Sequence, residues 1–294
     1  MAAEVQVLWP EDGAGGAGDP WAGQAGSADW PAGVVRVLLR HDGRLNAMSR
    51  AMWRQLRQVF LALQADTRAR CVLLSGVDGA FCAGGDISEY PGFRFDAVQL
   101  RAFHEDEVWG ALSALLACDL PLVAAIAGPC MGAGVEIASC CDLRIAAADA
   151  RFGAPIARLG FPMAPREAAL VARALGQGVA RQMLLEAATF DAAELAGQGF
   201  VSRVVPAGQA HRQALDSARR IAALAPAAAR MNKQTLRAIS QASEGKMAFP
   251  GVCQGDAAID SIAIKELPDP YAYADSAEHR EGISAFLEKR HPRF

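Results

Sequence analysis

A chain of 294 residues is long enough to bury one large core, with or without an appendage. Its 52% hydrophobic and 21% charged content describes a soluble globular protein, and a formal net charge of −3 leaves no electrostatic footing for nucleic acid. No apolar run approaches the roughly 18 residues that a membrane span needs, so no membrane partner is expected.

Other chemistries are excluded by what is missing. The seven cysteines include no C-x-x-C pair, and reduced thiols in a cytoplasm fit that odd number. The first lysine is Lys233, Gly245-Lys246 is followed by Met247 rather than Ser or Thr, and neither G-x-S-x-G nor H-E-x-x-H occurs. Nothing in the pattern calls for a metal.

Residues 1–33 carry five acidic residues and no Lys or Arg, and lack the apolar centre of a signal peptide. They read as a flexible leader, with 10–33 rich in Gly, Ala, Asp and Pro. Val34 to Leu39 is the first strand. Ser49 can cap the helix that follows, where Met52, Leu56, Val59, Phe60 and Leu63 recur at helical spacing. Cys71 to Leu74 is the next strand, closed by a turn at Val77-Asp78-Gly79. FCAGGDISEY (81–90) reads as a strand ending in Gly84-Gly85, where a backbone can be approached closely. Asp86 should turn its carboxylate onto loop amides. After a loop at 91–97, residues 97–118 read as one long helix whose His104-Glu105-Asp106-Glu107 run is a solvated charged face.

The next stretch, PLVAAIAGPCMGAGVEIASCCD (121–142), is the most informative. A β-branched run is broken by Gly128-Pro129, and Gly132-Ala133-Gly134 turns the chain into a short helix. Glu136 sits on that helix among Val135, Ile137 and Ala138, where a charge is expensive. It lies one turn after Ala133, whose amide opens the helix without an intrahelical acceptor. An unspent N–H beside a carboxylate can hold an oxyanion and move a proton. Two plainer readings stand beside this one. The glycines could open a dinucleotide site, although the third glycine of that fingerprint falls on Ile137. Alternatively, Glu136 could pair with an arginine as a structural ion pair.

Asp142 to Ala146 is another strand, 150–162 a turn-rich connection, and 165–186 two helices. Residues 191–205 read as helix, turn and strand. Helices follow at about 207–224, 226–242 and 276–289, with a less regular 243–272 between the last two. The division is thus a leader (1–33), a core of strand–helix units (34–205) and a helical region (206–294).

With these residues in place, the chain resembles the crotonase superfamily, the enoyl-CoA hydratase/isomerase family. The marks are LNAMS (45–49), FCAGGDI (81–87), the central stretch with CDLRIA (141–146), FGAP (152–155), ATFDAAELAGQGFVSRVV (188–205) and EGISAFLEKRHPRF (281–294). The resemblance implies an α/β spiral of ββα turns with a C-terminal helical region that builds homotrimers, often paired into hexamers. It also implies an acyl-CoA thioester as substrate, coenzyme A being part of that substrate and no separate cofactor being needed. By position it makes Ala83 and Ala133 the amides that hold the thioester oxygen and Glu136 the acid/base. Arg44, Leu45, Ala47, Gly85, Asp86, Ile87, Gly132, Pro155 and Ile156 fall on its substrate-binding positions.

The chain departs from that pattern at two places. Ser88 stands where the family often has a basic residue, which leaves the CoA phosphates to Arg44 or to C-terminal basic residues of a neighbouring subunit. Ile156 stands where the hydratases carry a second glutamate. The expectation is a hydratase of 2-enoyl-CoA esters. Isomerisation or decarboxylation through the same enolate, or acyl-CoA binding without turnover, are the alternatives. Glu89, His104 and Glu105 are the candidates to replace the missing acid.

Overall fold

The computed structural model describes residues 3–10, 30–246 and 276–294. In chain order the strands are β1 (Ala3–Leu8), β2 (Val34–His41), β3 (Cys71–Gly76), β4 (Leu122–Ile126), β5 (Pro129–Met131), β6 (Leu143–Ala147), β7 (Arg151–Gly153), β8 (Thr189–Asp191) and β9 (Arg203–Val205). The helices are α1 (Arg50–Ala65), α2 (Ala97–Ala102), α3 (Trp109–Ala117), α4 (Ala133–Ser139), α5 (Pro165–Leu175), α6 (Gln177–Leu185), α7 (Ala192–Gly197), α8 (Ala210–Ala222), α9 (Pro226–Lys246) and α10 (Ala277–Leu287).

Six strands form one sheet in the order β1-β2-β3-β4-β6-β9, parallel throughout except for β1. Both faces are covered, which is why its inner strands read as unbroken apolar runs. Val35, Val37 and Leu39 of β2 enter the larger core with α1, α3 and α4, whereas Val34 and Leu38 enter a second core under α8. A smaller sheet, β5-β7-β8, stands beside the first. The helical region after residue 205 therefore begins on the main sheet itself, because Ala210, Ala214, Leu215 and Ala218 close its second face.

Three expectations are corrected. Part of the leader is ordered structure: Ala3–Leu8 pairs antiparallel with Arg36–His41, and Val5 and Val7 pack on the larger core. The alternation in AEVQVL is the local signal, and β2 offers it an open edge. Residues 11–29 lie outside the described residues, as do 247–275, which hold most of the irregular 243–272 segment. Second, 81–85 is no strand. Cys82 bridges to Cys130 and Gly85 to Met48, so the segment divides its pairing between two neighbours across Gly84, whose φ is +114°.

Third, the long helix is interrupted. It starts under an Asp96 cap, where the side chain accepts from Gln99 N at 2.8 Å, and passes through one π-helical turn, Phe103–Val108, before α3. That turn carries all four of the supposed solvated residues, and only Glu105 and Asp106 of them are exposed. Glu107 is buried between Arg50 (2.6 Å) and Arg54 (3.0 Å). π-turns inside α-helices often mark functional sites, and this one borders the cavity described next.

Candidate active site

Two glycine turns bring the predicted residues together. After β4 the chain bends at Gly128 (φ +54°), where an added Cβ would stand 2.2 Å from Gly79 O, so a side chain is barred. Short β5 then leads to Gly132 (φ +47°, ψ −109°) and into α4. The second turn, 83–86, lies against the first. A Cβ built on Gly132 would be 3.7 Å from Gly84 Cα.

Hydrogen bonding decides which amides remain free between these turns. Asn46 is buried, and its Nδ2 donates to Val77 O and Ala80 O at 2.9 Å each, tying the LNAMS segment to the following turn. That tie presents Leu45 O, which accepts the Ala83 N–H at 2.9 Å. Ala83 is therefore corrected as an oxyanion donor: it lines the cavity, but its amide is spent. Met48 N donates to Gly84 O (2.7 Å) and Asp86 N to Met48 O (2.9 Å). Between them, the Gly85 N–H has no acceptor among the described residues, and neither does that of Ala133. Both residues line the cavity.

The cavity holds about 230 Å³. Gly85, Ile87, Gly132, Ala133, Glu136, Pro155 and Ile156 all border it, as expected. Arg44, Leu45, Ala47 and Asp86 do not border it: Asp86 closes the 83–86 turn, and the other three sit beside it. Arg44 reaches Asp86 at 3.6 Å, and Asp86 accepts from Ser88 N (3.1 Å) and Ser88 Oγ (2.7 Å). Burial alone would raise the Asp86 pKa, but the Ser88 hydrogen bonds and the charge of Arg44 hold it below the ordinary value. Asp86 is thus the loop-shaping carboxylate its sequence suggested.

Glu136 is held by no ion pair or hydrogen bond of its carboxylate among the described residues, so the structural ion-pair reading is not met. The residue keeps some access through the cavity but is walled by protein. Burial, and then the charge of Glu167, push its carboxyl up to about 8.

Glu167 is the residue that sequence reasoning missed. It stands in the first turn of α5, where an acidic residue is ordinary helix chemistry. Yet it is only 2% exposed, and its Oε1 lies 3.2 Å from His104 Nδ1. His104 borders the cavity from the π-turn. Of the three candidates for the missing acid, His104 alone is there. Glu89 accepts from Arg50 N at 2.7 Å, and Glu105 pairs with Arg166 at 2.8 Å. No local signal marks Glu167, because its role depends on α5 packing against α4.

Comparison with known proteins gives the family. A family model for enoyl-CoA hydratase/isomerase matches residues 29–294. A probable enoyl-CoA hydratase of Mycobacterium tuberculosis is 32% identical over 88% of this chain and 93% of its own length. A mitochondrial methylglutaconyl-CoA hydratase of Mus musculus is 30% identical over 89% and 79%. Among solved structures, an enoyl-CoA hydratase/carnithine racemase from Magnetospirillum magneticum superposes with a TM-score of 0.76 at 34% identity, covering 90% of this chain and 92% of the other. The chain belongs to the enoyl-CoA hydratase/isomerase family of the crotonase superfamily.

Proposed function

We propose that this protein hydrates a 2-enoyl-CoA thioester, with the Gly85 and Ala133 amides holding the thioester oxygen and Glu136 managing the proton at the α-carbon. The observation that carries the proposal is a partly buried glutamate, unpaired among the described residues, in one cavity with two unspent amides. Such donors cost no reorganisation as charge develops, and losing one typically costs about 2.7–4 kcal/mol of barrier.

His104 takes the task of the glutamate replaced by Ile156. A carboxylate only accepts, so Glu167 holds the proton on His104 Nδ1 and leaves Nε2 as a base. Nε2 removes a proton from water as its oxygen bonds to the β-carbon. The double-bond electrons move onto the thioester oxygen, and protonated Glu136 then delivers its proton to the α-carbon. The imidazolium returns its proton to solvent, and Glu136 is reprotonated. Coenzyme A belongs to the substrate, and no separate cofactor enters these steps.

Ile156 in the cavity wall favours a second reading, isomerisation or decarboxylation through the same enolate. Loss of enoyl-thioester absorbance with crotonyl-CoA and longer esters tests hydration directly. The proposal fails if no chain length shows turnover that Glu136→Gln abolishes, and mass spectrometry of 3-enoyl- and malonyl-type CoA reactions identifies the second reading.

A homotrimer or pair of trimers is part of the proposal, supported by exposed Leu236 and Ile239 on α9. So is a cytoplasmic setting, supported by six buried, unbridged cysteines among the described residues. Light scattering and fractionation test each.

A further inference from the structure

We infer that the cavity is built for an acyl chain ending in a carboxylate, and that Arg94 binds that carboxylate. The inference rests on the acyl-CoA reading above and specifies its substrate class.

Four side chains with charge or titrating character border the cavity: Glu136, His104, Arg94 and Tyr90. The first two have proton tasks. Arg94 has none, and it stands in a wall built largely from Trp53, Phe103, Leu159, Phe161 and Met163. Its guanidinium carbon lies 3.6 Å from the Phe161 ring centroid and 4.6 Å from that of Tyr90. Ring contact places the cation against π-faces and gives its N–H donors no oxygen acceptor.

Among the described residues, no hydrogen bond or ion pair engages the Arg94 side chain. Nearby arginines are arranged differently. Arg44 meets Asp86, Arg50 and Arg54 meet Glu107, and Arg166 meets Glu105. Arg94 is thus a partly buried cation, held against two rings and given no counter-charge among the described residues. A neutral acyl end would remove water from its donors and return nothing. A carboxylate would satisfy two of them side by side, the geometry a guanidinium matches best. Fixing the fork beforehand also lowers the ordering cost of binding.

The test uses saturated CoA esters, which bind but cannot be hydrated. Calorimetric titration compares glutaryl- and adipyl-CoA with butyryl-CoA, hexanoyl-CoA and free CoA. The expected result is about ten- to hundredfold tighter binding of the ω-carboxyl esters, in line with a charged hydrogen-bonded pair. Arg94→Met should abolish that preference, and Arg94→Lys should keep part of it. Equal affinity of the two ester classes for the wild-type protein overturns the inference, and this comparison needs no variant to fold. Equal weakening of every ester and of free CoA by Arg94→Met also overturns it, by assigning Arg94 to the CoA phosphates. A protein that prefers ω-carboxyl esters but hydrates nothing would sink the hydratase reading alone.

Discussion

His104 Nδ1 lies 3.2 Å from Glu167 Oε1, joining a π-turn to a helix 63 residues further along the chain. The same Glu167 raises the proton affinity of Glu136. One buried carboxylate therefore acts on both groups of the proposed mechanism: it meets the imidazole, and it adds to the burial that raises the Glu136 carboxyl. On the proposed mechanism this divides the labour between a base for water and an acid for carbon, with Ile156 in the place of a second acid.

The two tasks are separable. His104→Gln should lower hydration by about 10²-fold or more, the usual share of one general base. Exchange of the α-protons of butyryl-CoA in heavy water depends on Glu136 and the free amides, and it should persist. Loss of both activities together would mean that His104 only supports the fold.

Glu167→Gln should move the pH profile in a stated direction. Removing the like charge lets Glu136 ionise more easily, so the alkaline limb of hydration, expected near pH 8 in the wild type, should shift to lower pH. An unmoved limb would mean that Glu167 does not act on Glu136.

Glu136→Gln should abolish turnover yet stabilise the fold. The ordinary value is 4.5 and the folded value about 8. Between those pH values the unfolded chain releases a proton that the folded chain retains, so wild-type stability falls as pH rises through that window. The variant does not titrate. Its advantage in thermal unfolding should be absent near pH 4.5, grow towards pH 8, and reach on the order of a few kcal/mol. A pH-independent difference would place the carboxylate in water.

Gly85→Ala tests the donor assignment. The new methyl would stand 2.3 Å from Tyr90 Oη, so the ring or the turn must move, and hydration should fall by about 10²-fold. Tyr90→Phe in the same chain removes that oxygen and should restore part of the rate. Failure of the double variant to recover would point to backbone displacement instead of the Tyr90 clash.

Ile156→Glu returns a carboxylate to the cavity wall. It should raise hydration in the wild type, and in the His104→Gln background it should recover about tenfold, as expected of a replaced proton-handling group. No gain in either background would show that the wall has diverged beyond repair by one residue.

Features that depend on neighbours in the chain were legible from the amino-acid order alone. The β-branched runs, the Ser49 cap, the Asp86 turn and the glycine-led helix carrying Glu136 all follow from local sterics and hydrogen bonding. So did family membership, through six motifs in order. Only the tertiary structure decided which amides stay free, because Leu45 O reaches Ala83 N from a segment that Asn46 pins elsewhere. It alone showed that Ala3–Leu8 completes the sheet and that Glu167 meets His104. Alternation and capping repeat within a few residues, whereas an acceptor or a counter-charge is supplied by whatever segment packs alongside, and no local pattern encodes that.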